Sequence, residues 1–204
     1  MKTTLLAGLL LWPVLAWGQP SIPKELGTEE NRATLSDRPV EYVSEDGEYR
    51  VIYPPGCGKI VAKIPDWDSL DDAGNPVAMT YISYCDRYDE KGEGCSVTTF
   101  FNLTDGRGGP PGPAQVIERI ERMLQSMGVT IIRQQPVQRA LEDGTLVEGV
   151  DVLAGEKSGG GEAWLRGLLY NGDIYLLAAW KAEGGLARDP DFISFFQSFE
   201  PGVH

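Results

Sequence analysis

Four aspartates stand close together in one acidic stretch, residues 66–75, and could bind a hard cation. They are Asp66, Asp68, Asp71 and Asp72. Carboxylate oxygens are the ligands that Ca²⁺ takes in proteins. The spacing differs from that of an EF-hand loop, because Leu70 occupies a position that requires an oxygen ligand. We therefore interpret the stretch as a solvated surface loop and keep the four aspartates as calcium candidates.

Three cysteines could form one disulfide bond if the chain folds in an oxidising compartment. They are Cys57, Cys85 and Cys95. Cys85 and Cys95 enclose a polar segment between two β-rich stretches, so a hairpin there would bring their α-carbons within bonding range. We predict a structural Cys85–Cys95 disulfide, with a bridge to Cys57 as the alternative. The Cys-x-x-Cys spacing of redox-active pairs does not occur in the sequence.

The inventory of reactive residues argues against most catalytic designs. The only histidine is His204, the last residue, so no fixed imidazole is expected for a Ser-His-Asp or Cys-His arrangement or for a histidine-based zinc site. A carboxylate pair could still support hydrolysis, because the chain has 30 acidic residues. We expect no catalytic residue and no cofactor. A small carboxylate-dependent hydrolase, with or without Ca²⁺, is the alternative.

Three tryptophans could line a carbohydrate or peptide groove, because an indole ring combines a large apolar face with a polar edge. Trp164 and Trp180 fall in β-rich stretches, which favours packing in the core. Trp67 falls among carboxylates, which favours exposure.

The first residues have the plan of a cleavable export signal. Lys2 is followed by an apolar run over residues 5–14, which is shorter than the roughly 20 residues that span a bilayer. Ala16 and Gly18 supply the small side chains that a signal peptidase reads, so we predict cleavage between Gly18 and Gln19. We expect the mature protein to be periplasmic or secreted, with no membrane span after signal removal.

The formal charge of the chain limits its partners. It is −12 at pH 7, and a negative protein repels phosphate backbones and anionic lipid surfaces. We therefore expect no nucleic acid partner. The expected partner is another protein of the cell envelope.

Hydrophobic periodicity divides the mature chain into a leader and one domain. Residues 19–40 are polar and interrupted by prolines, which predicts a flexible leader. Residues 41–200 form the predicted single domain. Its second half contains a predicted antiparallel meander of four strands. The predicted strands cover residues 48–53, 59–64, 77–85, 95–103, 137–141, 145–153, 162–170 and 174–180.

Two helices accompany these strands. Over residues 114–127 apolar side chains recur three and four positions apart, with charged side chains opposite, so this amphipathic helix should lie with one face on a sheet. A shorter helix is predicted near the end, where Asp189 caps it, Pro190 opens it and phenylalanines repeat at helical spacing. The predicted fold class is α+β, with an antiparallel sheet, a central helix and a C-terminal helix.

The order of elements resembles that of PsbP/Mog1-like domains over about residues 45–200. The features that carry the resemblance are the early strand that runs into Pro54 and Gly56, the central helix, and the aromatic segment over residues 192–199. Such domains are α/β/α sandwiches that serve as accessory or binding modules, and the resemblance implies the same for this chain. It implies no functional residue, because no ligand-contacting motif of the family is present. We expect an exported, non-catalytic binding or accessory module of the cell envelope.

Overall fold

The computed structural model describes most of the region after residue 37. The described residues are 38–44, 48–56, 58–70, 76–86, 93–101, 109–141, 144–156 and 160–202, of which 58–70 and 76–86 are described by their backbone alone. Within these ranges the protein is an α+β structure with two antiparallel sheets and two α-helices. The expected α+β fold is confirmed.

Seven strands form the larger sheet. Their bounds are β3 Gly58–Leu70, β4 Pro76–Asp86, β5 Glu93–Phe101, β6 Thr130–Ala140, β7 Leu146–Gly155, β8 Glu162–Tyr170 and β9 Asp173–Lys181. They lie in the order β3-β4-β5-β9-β8-β7-β6, and every neighbouring pair is antiparallel. Strands β6 to β9 are the predicted meander. Its last hairpin turns at Asn171 and Gly172, whose φ angles of 51° and 86° are those of a type I′ turn.

Strand β6 is longer than the sequence pattern predicts. It begins at Thr130 and continues through Pro136, whereas the predicted strand began only at residue 137. Because β6 forms an edge of the sheet, a proline can be accommodated there without loss of a ladder hydrogen bond.

A smaller sheet has three strands, β1 Val40–Val43, β2 Tyr49–Tyr53 and β10 Glu200–Pro201, in the order β1-β2-β10. Both pairs are antiparallel. The sequence predicts β2 alone, because segments of four and two residues are too short for an alternating period to show. Strand β2 therefore joins the beginning of the described region to its end.

The two faces of the larger sheet are covered by different elements. Helix α1, Pro113–Met127, packs on one face, and helix α2, Pro190–Ser198, packs on the other together with the small sheet. Strand β9 illustrates the alternation, since Leu176 belongs to the core under α1 and Leu177 to the core under α2. This layering agrees with the expected sandwich.

Both helices match their predicted signals. The Asp189 carboxylate accepts a hydrogen bond from the Asp191 amide at 3.1 Å, and Pro190 follows it at the first helical position. The phenylalanines of α2 are buried, as predicted. In the described part of the chain, neither helix nor any other is long and apolar enough to cross a membrane.

Helix α1 approaches the larger sheet closely over Gly167 of β8. A Cβ atom built on Gly167 would lie 2.3 Å from Cγ1 of Val116 and 3.0 Å from Cδ1 of Ile120. A glycine is therefore needed at this position for the helix to lie where it does.

Candidate functional site

A cleft of about 410 Å³ lies where the small sheet meets the β6 end of the larger sheet. Its volume falls in the range of small-ligand pockets. Strands β1 and β2 form one wall, the end of β6 forms a second, and the end of α2 with β10 closes it. The polar residues that line it are Glu41, Arg50, Arg139, Ser198 and Glu200.

The wall from the small sheet carries two carboxylates around one guanidinium. Alternation along β2 sends Tyr49 and Val51 into the core and leaves Arg50 on the other face. Arg50 stands opposite Glu200, and its Nε donates to Oε2 of that carboxylate at 2.5 Å. Glu41 stands on β1 diagonally from Arg50 on the same face. The formal charge of this wall is therefore negative by one.

The wall from β6 carries the cation Arg139. Its guanidinium donates to the carbonyl oxygen of Phe199, at the end of α2. Burial lowers the pKa of Arg139, the charge of Glu200 counteracts this, and the nearby cations Arg166 and Arg50 lower it further. A guanidinium nevertheless stays protonated at neutral pH and has five N–H donors. Arg139 thus offers the cleft a partly desolvated positive charge.

The hydroxyl of Ser198 is used by the fold. Its Oγ accepts a hydrogen bond from the Ile52 amide at 2.8 Å and donates to the Phe195 carbonyl at 3.0 Å. Among the described residues that line the cleft, Ser198 has the only hydroxyl, and none has a thiol or an imidazole. The lining therefore lacks an activated nucleophile of the Ser-His or Cys-His kind.

A buried ion pair supports the end of α2 behind the cleft. Arg166 donates from Nε to Oδ1 of Asp151 at 2.6 Å and from Nη2 to Oδ2 at 2.8 Å. It also donates to the Phe196 carbonyl at 3.0 Å. Trp164 stacks on the Phe196 ring with centroids 4.2 Å apart, which agrees with core packing for this tryptophan. Arg166 therefore has a structural role, because its charge is balanced by that of Asp151.

A second group of charges joins β5 and β9 to the start of α2. Nζ of Lys181 lies 2.6 Å from Oδ2 of Asp189 and 3.6 Å from Oε2 of Glu93. The hydrogen bond to Asp189 raises the pKa of Lys181 although burial acts in the opposite sense. Burial alone would raise the pKa of Asp189, but Lys181 and the Asp191 amide outweigh it and lower that pKa. Both groups are therefore charged at neutral pH, as in a structural ion pair.

The predicted disulfide partners stand opposite each other in the sheet. Cys85 of β4 is the direct partner of Cys95 of β5 in the antiparallel register. Directly opposed residues have α-carbons about 4.5 to 5.5 Å apart, which is within the range of disulfides. Cys95 is buried, and Cys57 lies outside the described residues. The register is the one on which the prediction depends, and the bond itself stays a prediction.

The calcium candidates fall partly on a strand. Asp66 and Asp68 belong to β3, so the prediction of a loop is wrong for residues 66–70. The acidic composition favours a loop there, but backbone pairing with β4, in an irregular register, extends the strand. Asp71 and Asp72 lie outside the described residues, and calcium binding stays a prediction. In the part of the chain that is described, no three acidic, cysteine or histidine side chains are grouped to hold a metal ion.

Three other predictions fall on residues that the structure does not describe. They are the cleavage site between Gly18 and Gln19, residues 19–37 of the leader predicted over residues 19–40, and the terminal His204. The export signal thus stays a prediction from the sequence.

The residues of the cleft were missed by the sequence reasoning. Arg50 and Glu200 are 150 positions apart, so no local motif joins them. One signal was available: residues 130–140 contain two arginines and no acidic residue in a chain of net charge −12. This local excess of positive charge could have marked Arg139 as a residue to examine.

The fold and the cleft define an α+β protein with a charged cleft between two antiparallel sheets. No family model and no curated protein matches the chain. A crystal structure from Bacteroides thetaiotaomicron is similar over 81% of this chain and 49% of its own, with 10% identity and a TM-score of 0.33. The chain therefore spans about half the length of that protein.

Proposed function

We propose that the protein is an exported, non-catalytic binding module of the cell envelope, and that the cleft between its sheets holds part of its partner. The observation that carries this proposal is that the fold already uses the hydroxyl of Ser198. Its hydroxyl donates to one backbone group and accepts from another. The cleft therefore offers charge and shape, which serve recognition, in place of an activated nucleophile.

The opposed charges of the two walls support recognition of an oriented partner. Arg139 faces the cleft from β6, while Glu41 and Glu200 face it from the small sheet. Charges held in fixed positions on both sides favour one orientation of a bound group and disfavour the reverse. Arg139 is also fixed by its bond to the Phe199 carbonyl, so little side-chain entropy remains to be lost on binding.

The location and the class of partner are supported by the sequence. The predicted export signal over residues 1–18 and the predicted Cys85–Cys95 disulfide both suit an oxidising compartment. The resemblance to PsbP/Mog1-like domains favours an accessory role. The partner that we propose is another envelope protein, part of which enters the cleft.

The carboxylate pair around Lys181 does not support the alternative of a carboxylate-dependent hydrolase. Such an enzyme needs one carboxyl whose raised pKa keeps it protonated as the acid. Asp189, which lies beside Glu93 around Lys181, has a lowered pKa. Asp189 is therefore an anion in an ion pair at neutral pH and does not carry the proton that the catalytic acid must donate.

The proposal is tested by affinity capture with matched variants. The mature protein, Arg139→Met and Arg133→Met are immobilised at equal density and exposed to envelope extract of the source organism. Arg133 is the control because it is exposed on β6 and stands on the same face as Arg139, opposite Leu153. We expect one polypeptide to be retained in near-stoichiometric amount by the wild type and by Arg133→Met, and lost with Arg139→Met. Equal retention by all three proteins would show that the cleft is not the binding site, and retention by none would contradict the proposed binding of an envelope protein.

A further inference from the structure

The charges of the cleft are divided between its two sides. On the β6 side, the described residues give the Arg139 guanidinium one hydrogen-bond acceptor, the Phe199 carbonyl. The carboxylate of Asp151, on the neighbouring strand β7, has both of its oxygens engaged by Arg166. A carboxylate that enters the cleft would therefore find N–H donors of Arg139 still available.

The side formed by the small sheet has the opposite sign. Glu200 and Glu41 stand on either side of Arg50, one directly opposite it and one diagonal to it. The carboxylate of Glu41 is exposed on β1 at the mouth of the cleft. A cationic group would be attracted to this side, whereas a second anionic group of the same ligand would be repelled.

The space between the charged groups is small and partly apolar. Its volume is about 410 Å³, near the lower end of ligand pockets. Ile52, Ala140 and Leu141 contribute apolar lining. These features suit a short ligand whose ends are charged and whose middle is not.

We infer that the cleft binds a zwitterion of the amino acid or short peptide class, with its free carboxylate on Arg139 and its free ammonium group towards Glu41. This inference rests on the proposed binding function and names the ligand chemistry of the same site. A polypeptide partner would satisfy it by presenting a chain end, whereas a free amino acid would satisfy it as a small ligand. The length that binds best distinguishes these two sources.

The test is a titration of the mature protein followed by amide chemical shifts in two-dimensional NMR. The probes are glycine, diglycine and triglycine, with N-acetyltriglycine lacking the ammonium charge and triglycinamide lacking the carboxylate. We expect at least one of the three zwitterions to shift signals of residues 50–52 and 139–141. We expect each blocked probe to bind at least about tenfold more weakly than triglycine, as is typical for loss of one hydrogen bond to a charged group. Best binding of glycine would indicate an amino acid, and best binding of triglycine a peptide.

Two variants assign the ends of the ligand. Arg139→Met should weaken the binding of triglycine about tenfold or more, and the control Arg133→Met should leave the affinity for triglycine unchanged. Glu41→Gln, on an exposed strand position, should weaken triglycine but not N-acetyltriglycine. It keeps the test decisive if Arg139→Met proves unstable in a thermal unfolding control.

The outcomes separate this inference from the proposed function. Equal binding of triglycine and N-acetyltriglycine would overturn the inference of a zwitterionic ligand and would indicate a site for anions instead. If none of the glycine probes binds while envelope capture still depends on Arg139, the ligand class is wrong and the binding function stands. If capture is also independent of Arg139, both proposals fail.

Discussion

Replacement of Arg166 by methionine should destabilise the protein strongly, because it leaves a buried carboxylate without its counterion. Asp151 is 6% exposed, and both of its oxygens accept hydrogen bonds from Arg166. Removal of one member of such a pair costs about 3 to 5 kcal/mol, a large share of the roughly 5 to 15 kcal/mol that stabilises a typical domain. The Phe196 carbonyl also loses a donor, which is worth about 1 kcal/mol.

The double variant Asp151→Leu/Arg166→Met separates the pair from its components. With both charges removed, no buried ion remains, and the free energy of unfolding should return to within about 1 to 2 kcal/mol of the wild type. Arg122→Met is the matched control. Its partner is Glu118 one helical turn away, and both side chains are about half exposed, so its loss should cost less than about 0.5 kcal/mol.

The assay is equilibrium unfolding in urea of five proteins: the wild type, Arg166→Met, Asp151→Leu, the double variant and Arg122→Met. The slopes are compared to verify that each protein unfolds in the same way. A coupling energy of several kcal/mol between Asp151 and Arg166 is expected from the double-mutant cycle. A cost below about 1 kcal/mol for Arg166→Met, or a double variant as unstable as the single one, would refute the reasoning that this pair is buried and dry.

Three further predictions concern other parts of the fold. Gly167→Ala should destabilise the protein by about 1 to 3 kcal/mol, because its Cβ would meet Val116 of helix α1 at 2.3 Å; an unchanged urea midpoint would show that the helix can shift without cost. Lys181→Met should lose a pH-dependent stabilisation. The folded pKa of Asp189 is lowered, so its contribution is complete above the unfolded value and disappears as the pH falls through the folded one. The folded pKa of Lys181 is raised, so its contribution is complete below the unfolded value and disappears as the pH rises through the folded one. The difference in thermal midpoint between wild type and Lys181→Met should therefore shrink at both extremes of pH, and a constant difference would contradict the ion pair. Non-reducing peptide mapping of the mature protein should recover Cys85 joined to Cys95, which are paired in register; a peptide containing bridged Cys57 would disprove this pairing.

The regular part of the fold could be predicted from the sequence because its signals are local. Apolar periodicity identified helix α1, and Asp189 with Pro190 marked the start of α2. The β8–β9 hairpin turns at Asn171 and Gly172, which separate two predicted strands and adopt the positive φ angles that such a turn requires. Each of these signals depends on residues a few positions apart.

The small sheet and the cleft could not be predicted in this way. Strands β1 and β10 are held by pairing to β2, and β10 lies about 150 positions away from it in the chain. The extension of β3 through Asp66 and Asp68 likewise depends on pairing with β4, which outweighs local composition. No residue of the cleft was predicted, because its charged groups are brought together by these distant pairings.

The pairing of β2 with β10 has a consequence for the order of folding. A strand made early in synthesis must wait for a partner that is made about 150 residues later, and helix α2, which fills the same core, is made just before that partner. Contacts of such long sequence separation slow folding. For a chain that we propose is exported, such a delay would keep the polypeptide open until its closing segment has been made, which is the state that transport through a secretion channel requires.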